Sequence, residues 1–312
     1  MINFRYHVVS LTAVFLALAI GMVVATAALN GPAADALNDQ VSQLRRSNEQ
    51  MREQVKQLES GAGTQEDFVK QVSPTVVAGR LTGRRVLMVV TASAASNAGK
   101  YVDPVKDLLD RSGAKVTAKV TLADQFFDPA SNEALQDLVT TTLPNVTGLP
   151  NNLIGVETSS ALLAAVLLDR TPAQDRDGRL KVLAGYSQGR FLTVSPDPAQ
   201  VVSAEAVVFV TGGPYTDKDA PAKNKNVLTA VTQFDAAAPE VLASPLATGD
   251  GNALAEVRGD PKLTKTISTV DDVGVPQGWL VTVLALVEQL KGSTGHYGIG
   301  GNATALAPKL TG

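Results

Sequence analysis

Apolar side chains follow three successive patterns along this chain, and each predicts a different kind of element. From Val8 to Leu29 the run VVSLTAVFLALAIGMVVATAAL has no charged residue, and only Ser10, Thr12 and Thr26 carry polar side-chain atoms. A helix rising about 1.5 Å per residue crosses a hydrocarbon core of roughly 30 Å over that length and satisfies its own backbone groups, so the expectation is a transmembrane anchor. A cleaved secretory signal is the alternative, because Ala25-Thr26-Ala27 has the small-x-small form of a peptidase site. Against cleavage, the run exceeds the roughly 7–15 residues of a signal core, and Arg5 is its only firm preceding positive charge. Both readings export the rest of the chain. Arg5 precedes the span, Asp35 and Asp39 come after it, and no Lys or Arg comes before Arg45. The positive-inside rule then predicts a single-pass plasma-membrane protein with a cytoplasmic N-terminus and an extracytoplasmic C-terminal domain.

The second pattern begins after Gly31-Pro32. Leu37, Val41, Leu44, Asn48, Met51, Val55 and Leu58 recur in an unbroken 4-3 spacing, and the residues between them are mostly polar or charged. This is a heptad seam, with Val41, Asn48 and Val55 at a and Leu37, Leu44, Met51 and Leu58 at d. β-Branched a positions with mostly leucine d positions favour two parallel strands, and one asparagine at a fixes register at some cost in stability. The prediction is a homodimeric or partner-binding coiled-coil stalk. An amphipathic helix lying on its own domain is the alternative. The glycines of Ser60-Gly61-Ala62-Gly63 predict the end of the helix.

Beyond Pro74, short β-branched runs alternate with helical stretches. Arg85 to Val90 is apolar on both faces and reads as a buried central strand; Tyr101 to Arg111 reads as a helix ending at Gly113, and Lys115 to Leu122 as a second strand. That unit predicts a parallel crossover. Helices are further expected at 131–142, 155–168, 220–234 and 277–290, the last amphipathic, and strands at 191–194, 205–210, 239–243 and 266–269. The fold class is therefore an N-terminal transmembrane helix and coiled-coil stalk followed by an α/β three-layer domain with a mostly parallel sheet. The expected divisions are a cytoplasmic tail at 1–7, the span at 8–29, the stalk at 33–60, a linker at 61–74, the α/β domain at 75–291 and a glycine-rich tail at 292–312.

Composition narrows function more than fold. The 312 residues, 45% hydrophobic and 18% charged, suffice for an anchor and one domain with a real core. A net charge of −3 and a pI near 5.5 argue against a nucleic-acid partner. With no cysteine there are no disulfides and no thiolate metal or redox site.

Candidate chemistry is sparse. Gly185-Tyr-Ser187-Gln-Gly189 matches the G-x-S-x-G nucleophile elbow, with Asp217, Asp235 or Asp271 and then His296 downstream in hydrolase order. The residues after the motif are β-branched and broken by Pro196 and Pro198, so the helix that an elbow needs is missing and a glycine-rich turn into a strand is the expectation. A serine hydrolase is the remote alternative. No Walker loop is present, and Gly295, Gly298 and Gly300 come after a loop, so no nucleotide cofactor is expected. The two histidines, His7 and His296, and the four methionines, Met1, Met22, Met51 and Met88, are scattered, whereas soft copper ligation needs them clustered. Asp271-Asp272 is a weak candidate for a hard cation, with a solvated turn as the expectation. Asn145-Val-Thr147 and Asn302-Ala-Thr304 match the glycosylation pattern. No residue is singled out as catalytic, cofactor-binding or metal-ligating; the candidate interface is the seam from Leu37 to Leu58.

The opening MINFRYHVVSLTAVFLALAIG, the stalk and the tail Gly295-His-Tyr297-Gly298-Ile-Gly300 together resemble the actinobacterial MctB family over essentially the whole chain. Its members are described as copper transporters or copper-homeostasis proteins. The family includes the corynebacterial SteB, associated with a membrane partner, SteA, and with control of the peptidoglycan hydrolase RipA during daughter-cell separation. The resemblance brings no catalytic residues and implies two roles. A copper pore would have to pass a soft cation through a single span with no clustered ligands, and an α/β domain cannot close into a membrane barrel. A regulator needs an anchor, a spacer and a recognition surface, and the stalk would supply a spacer of roughly 30 Å. The expectation is a non-enzymatic, dimeric scaffold or regulator in cell division, with a SteA-like membrane protein and a RipA-like peptidoglycan hydrolase as partners; copper transport or homeostasis is the alternative.

Overall fold

The computed structural model describes residues 4–30, 32–142, 146–170 and 175–309. Gly31, the sequon asparagine Asn145 and the first three residues of the N-terminal tail lie outside them. The chain divides into two compact units, Met1–Gln65 and Glu66–Gly312.

In the first unit, helix α1 (Phe4–Asn30) contains a stretch, Phe4–Ala27, long and apolar enough to cross a membrane, and none of that stretch is buried. It begins four residues before the expected span. Thr12 Oγ1 donates to Val8 O (2.7 Å) and Thr26 Oγ1 to Met22 O (2.5 Å), so both hydroxyls are satisfied by their own helix, as an apolar surrounding requires.

Helix α2 (Pro32–Val77) corrects two expectations. It does not stop at Ser60-Gly61-Ala62-Gly63, and residues 61–74 are helix rather than linker. Each glycine costs about 1 kcal/mol of propensity. That cost is offset because the last turns, in the second unit, are pinned where Ser73 and Val77 are buried. Pro74 sits inside the helix and sacrifices one backbone bond there.

The second unit, the head, holds one seven-stranded sheet. Its strands are β1 (Arg85–Thr91), β2 (Lys115–Leu122), β3 (Leu192–Ser195), β4 (Ala206–Val210), β5 (Glu240–Ala243), β6 (Ile267–Val270) and β7 (His296–Tyr297), in the order β3-β2-β1-β4-β5-β6-β7. All neighbours are parallel except β2 and β3. Period-2 alternation splits β1 cleanly: Leu87 and Val89 enter one core, and Val86, Met88 and Val90 the other. The first core is covered by α6 (Asp124–Phe127), α7 (Asn132–Thr142), α8 (Gly155–Leu167), α9 (Arg176–Gln188), α10 (Ala220–Asp235) and α11 (Ala253–Gly259). The second is covered by α3 (Ala92–Ala95), α4 (Ala98–Tyr101), α5 (Asp103–Arg111), α12 (Pro276–Gln289) and the end of α2. These are the three expected layers.

Four details differ from the sequence reading. The helix expected at 101–111 is broken at Val102 into α4 and α5. Helix α9 forms where a turn into a strand was expected, because Asp175 caps it on Gly178 N (2.6 Å) and Val182, Leu183 and Tyr186 are buried. Helix α11, unforeseen, is capped by Asn252 on Leu254 N and Ala255 N. The tail from 292 is not all loop: β7 is the outermost strand of the sheet.

Candidate functional site

The seven seam residues lie along one helix, α2, and each stays exposed: Leu44 by 70%, Leu58 by 73%, Val41 by 41%. A 4-3 recurrence puts them on one stripe, so the structure brings them together as a surface. Exposed leucines scattered singly need no explanation, but an apolar stripe rimmed by charge does.

The catalytic lure dissolves. Helix α9 runs into Ser187, and strand β3 comes after, the reverse of an elbow's strand-turn-helix order. Gly185 is explained by packing, since a Cβ there would sit 2.6 Å from Thr142 Cγ2. Ser187 precedes β3 at one sheet edge and His296 is in β7 at the other. Six strand spacings of about 4.8 Å separate them by roughly 30 Å. Asp217 is held by Lys223 (2.9 Å), which keeps its carboxyl below the usual range, and His296 bonds Thr269 Oγ1 through Nδ1 (2.9 Å) and Thr264 O through Nε2 (3.2 Å). Burial lowers the His296 pKa.

The distinctive tail motif is a fold element. Asp271, at the end of β6, accepts Ile299 N on Oδ1 (2.8 Å) and Gly300 N on Oδ2 (3.0 Å), and pairs with Arg258 Nη1 (2.7 Å). Arg258, from α11, also donates Nε to Thr269 Oγ1 (2.9 Å) and Nη2 to Tyr297 O (2.7 Å). Both charged side chains are 1% exposed. At Gly298, φ is +124° and a Cβ would overlap the Asp271 carboxylate, which is why glycine stands there. Asp271 spends its lone pairs on this clamp, so the cation reading of Asp271-Asp272 loses its main ligand. Burial and the neighbouring Asp271 push the Asp272 carboxyl up to about 6. Sequence reasoning missed Arg258, because nothing local distinguishes it from a solvated arginine.

Doubly wound sheets bind ligands where strand order reverses, here between the carboxyl ends of β1 and β4. That crevice is closed. Gly212 N donates to Thr91 Oγ1 (3.2 Å), Ser93 packs against Gly212, and the remaining cavity is about 20 Å³, room for one water. A larger cleft, about 340 Å³, lies between the 148–150 loop, α8 and the end of α10. Its carboxylate, Asp169, is already held by Arg85 (2.6 and 3.1 Å) and Ser203 (2.6 Å). Among the described residues no three His, Cys, Asp or Glu gather as a metal site.

The class these features define is a protein with one apolar N-terminal helix, a long helix bearing an exposed heptad stripe, and a doubly wound head whose ligand crevice is closed and whose tail is locked into the sheet. The chain belongs to the MctB family: residues 1–308 match the family described as "Copper transport outer membrane protein, MctB". Proteins named copper transporter MctB from Mycobacterium tuberculosis and Mycobacterium bovis are 31% identical over 98% of this chain and 99% of their own length. The Mycobacterium leprae protein of that name is 30% identical over 98% of this chain and 99% of its own.

Proposed function

We propose that this chain is a non-enzymatic scaffold of the cell envelope, anchored by one plasma-membrane span with its N-terminus in the cytoplasm and its head outside. It works by pairing through the seam of α2. The exposed stripe from Leu37 to Leu58 carries the reading, because burying a leucine or valine contributes roughly 1.5–3 kcal/mol and an isolated helix leaves that unrealised. In its finer form, the partners are a SteA-like membrane protein and a RipA-like peptidoglycan hydrolase, and the output is daughter-cell separation. The resemblance to SteB supports this form, as does the fit of anchor, spacer and head to a regulator with no chemistry of its own. Charging the seam with Leu44→Asp and Val55→Lys is expected to abolish crosslinked dimers of the intact membrane protein and leave cells chained. Parental dimer levels with normal separation would sink the reading.

The names of the mycobacterial relatives favour a second reading, copper transport or homeostasis. Direct handling of a soft cation calls for clustered imidazole or thioether groups. Here Met88 is buried in β1 and His296 is tied to Thr269 and Thr264. A role through a partner suits these residues better. Calorimetric titration of the detergent-solubilised full chain with Cu(I) and Cu(II) separates the two forms: silence down to micromolar levels is expected, and stoichiometric tighter binding establishes direct copper handling.

A further inference from the structure

The cleft of about 340 Å³ beside the 148–150 loop owes its space to alanine. On α8, Leu162, Leu163, Val166 and Leu167 are fully buried in the first core. Ala161, Ala164, Ala165 and, at the helix cap, Leu168 are spaced i, i+3, i+4 and i+7, so they share one stripe, and that stripe lines the cleft. From α10 come Ala236 and Ala237, just past its last turn. Packed helices normally interdigitate branched side chains to crystal-like density. Here single methyl groups meet instead, and the gap stays open. At about 30 Å³ for each water of the liquid it has room for roughly ten non-hydrogen atoms, and its volume falls in the range of small-molecule sites.

Three polar side chains reach this cleft: Asp169, Arg170 and Gln233. Asp169 is occupied, since its two oxygens accept from Arg85 (2.6 and 3.1 Å) and one of them from Ser203 as well (2.6 Å). Arg170 is not. Of its five N–H donors one goes to Thr147 O (2.8 Å), and the half-buried guanidinium has no ion pair among the described residues. The half-buried amide of Gln233 likewise has no hydrogen bond among them. The carbonyls where the two helices end are taken: Val166 O accepts Arg179 Nε (2.7 Å), Leu167 O accepts Ala204 N (2.9 Å) and Phe234 O accepts Ala237 N (3.0 Å). What the cleft still offers is a set of donors carrying one positive charge.

We propose that this cleft binds a small aliphatic monocarboxylate, with its carboxylate on the guanidinium of Arg170 and its hydrocarbon chain along the alanine wall. Charge selects the head group. Asp169 and Arg85 neutralise each other, so Arg170 supplies one unopposed positive charge, which a single carboxylate matches in both sign and planar shape. A phosphate dianion would bring an unmatched second charge to the carboxyl ends of α8 and α10, where the helix dipoles are negative. An ammonium would face Arg170 with like charge and find no free carboxylate. The walls select the body. Methyl groups, Leu149 and Pro150 form no hydrogen bonds through their side chains, so what extends past the carboxylate is hydrocarbon. Gln233 adds a further amide donor. Every residue of the site lies in the second unit, so the inference stands apart from the reading of α2 as a pairing stalk.

The probe is hexanoate, titrated calorimetrically into the full chain in lipid nanodiscs, with empty nanodiscs subtracting its partition into lipid. A dissociation constant of about 1 mM or tighter is expected, with acetate, hexanol, hexylammonium and inorganic phosphate each weaker by about 10-fold or more. Arg170→Gln removes the charge and is expected to weaken hexanoate by about 10- to 100-fold. Arg170→Lys keeps the charge without the planar fork and should fall between the two. Ala161→Leu, at a half-buried helix position, fills the cleft and is expected to abolish binding with the head still folded. The fluorescence of the lone tryptophan, Trp279, whose indole donates to Lys100 O and Val273 O (both 2.9 Å), checks the fold of each variant. Hexanoate with no saturable binding below about 20 mM overturns the site. Equal binding to the parent and to Arg170→Gln, or hexanol or phosphate binding as tightly as hexanoate, overturns the carboxylate assignment. Undiminished binding to Ala161→Leu would place the ligand outside the cleft.

Discussion

Asp271→Asn is expected to lower the melting temperature of the full chain in detergent by roughly 10 °C. The carboxylate is buried, pairs with a buried guanidinium, and accepts two backbone amides of the tail. Asparagine keeps the shape but leaves the Arg258 charge uncompensated in a buried site. Breaking a buried pair on one side costs about 3–5 kcal/mol, and each kcal/mol shifts a domain of this size by roughly 2–4 °C. The tail should come loose first, because asparagine offers one acceptor oxygen where the carboxylate offers two, so one of the Ile299 and Gly300 amides is left facing an NH2 group, and limited proteolysis is expected to clip the chain after Tyr297 before the head melts. The double variant Arg258→Met with Asp271→Leu should recover part of the loss, since it buries no unpaired charge, but not all of it, since the two amides stay orphaned. Scanning calorimetry decides: an Asp271→Asn chain melting within about 2 °C of the parent would mean that the clamp contributes little.

Glu240→Gln is expected to do the opposite, and only above acid pH. Glu240 opens β5 and is fully buried, and neither carboxyl oxygen has a hydrogen-bond partner among the described residues. Burial, reinforced by the nearby acid Asp235, raises its pKa well above the ordinary carboxylate value, so the folded protein holds a proton that the unfolded chain releases. Linkage fixes the sign. Below the unfolded pKa, about 4.3, both states are protonated and no stability is lost; above it, stability falls with rising pH by roughly 1.4 kcal/mol per unit until the folded pKa is reached. Glutamine replaces a neutral acid with a neutral amide, so the variant should match the parent near pH 4.5 and melt progressively higher than it toward pH 8. Asp235, half-buried and raised in the same direction by burial, leaves some slope in the variant. Parallel melting profiles for the two proteins from pH 4.5 to pH 8 would show that folding does not raise the Glu240 pKa.

These two groups mark where sequence reading stopped. Arg258 and Asp271 lie thirteen residues apart, Asp271 and Gly300 twenty-nine, and only the neighbouring strands β6 and β7 bring them together. Glu240 comes after a proline and precedes Val-Leu-Ala, an ordinary start to a strand; its burial comes from the elements that pack over β5. The serine motif failed for a related reason. Five residues matched a pattern whose chemistry depends on a strand before and a helix after, and here the order is inverted.

Short-range repetition was legible in the residues alone: the uncharged run that makes a helix long and apolar enough to cross a membrane, the 4-3 recurrence that makes a stripe on α2, and the apolar strands β1, β2 and β4 that make a buried parallel sheet. Each is a local pattern whose physical meaning needs only a helix's or a strand's own geometry. Packing between distant segments settled the rest. It carries α2 through its glycines, because docked turns outweigh about 1 kcal/mol of propensity at each. It also makes the tail a strand with a charged lock and closes the sheet's usual ligand crevice. Those outcomes depend on which distant groups meet, and the energy of a meeting is not written at either end of it.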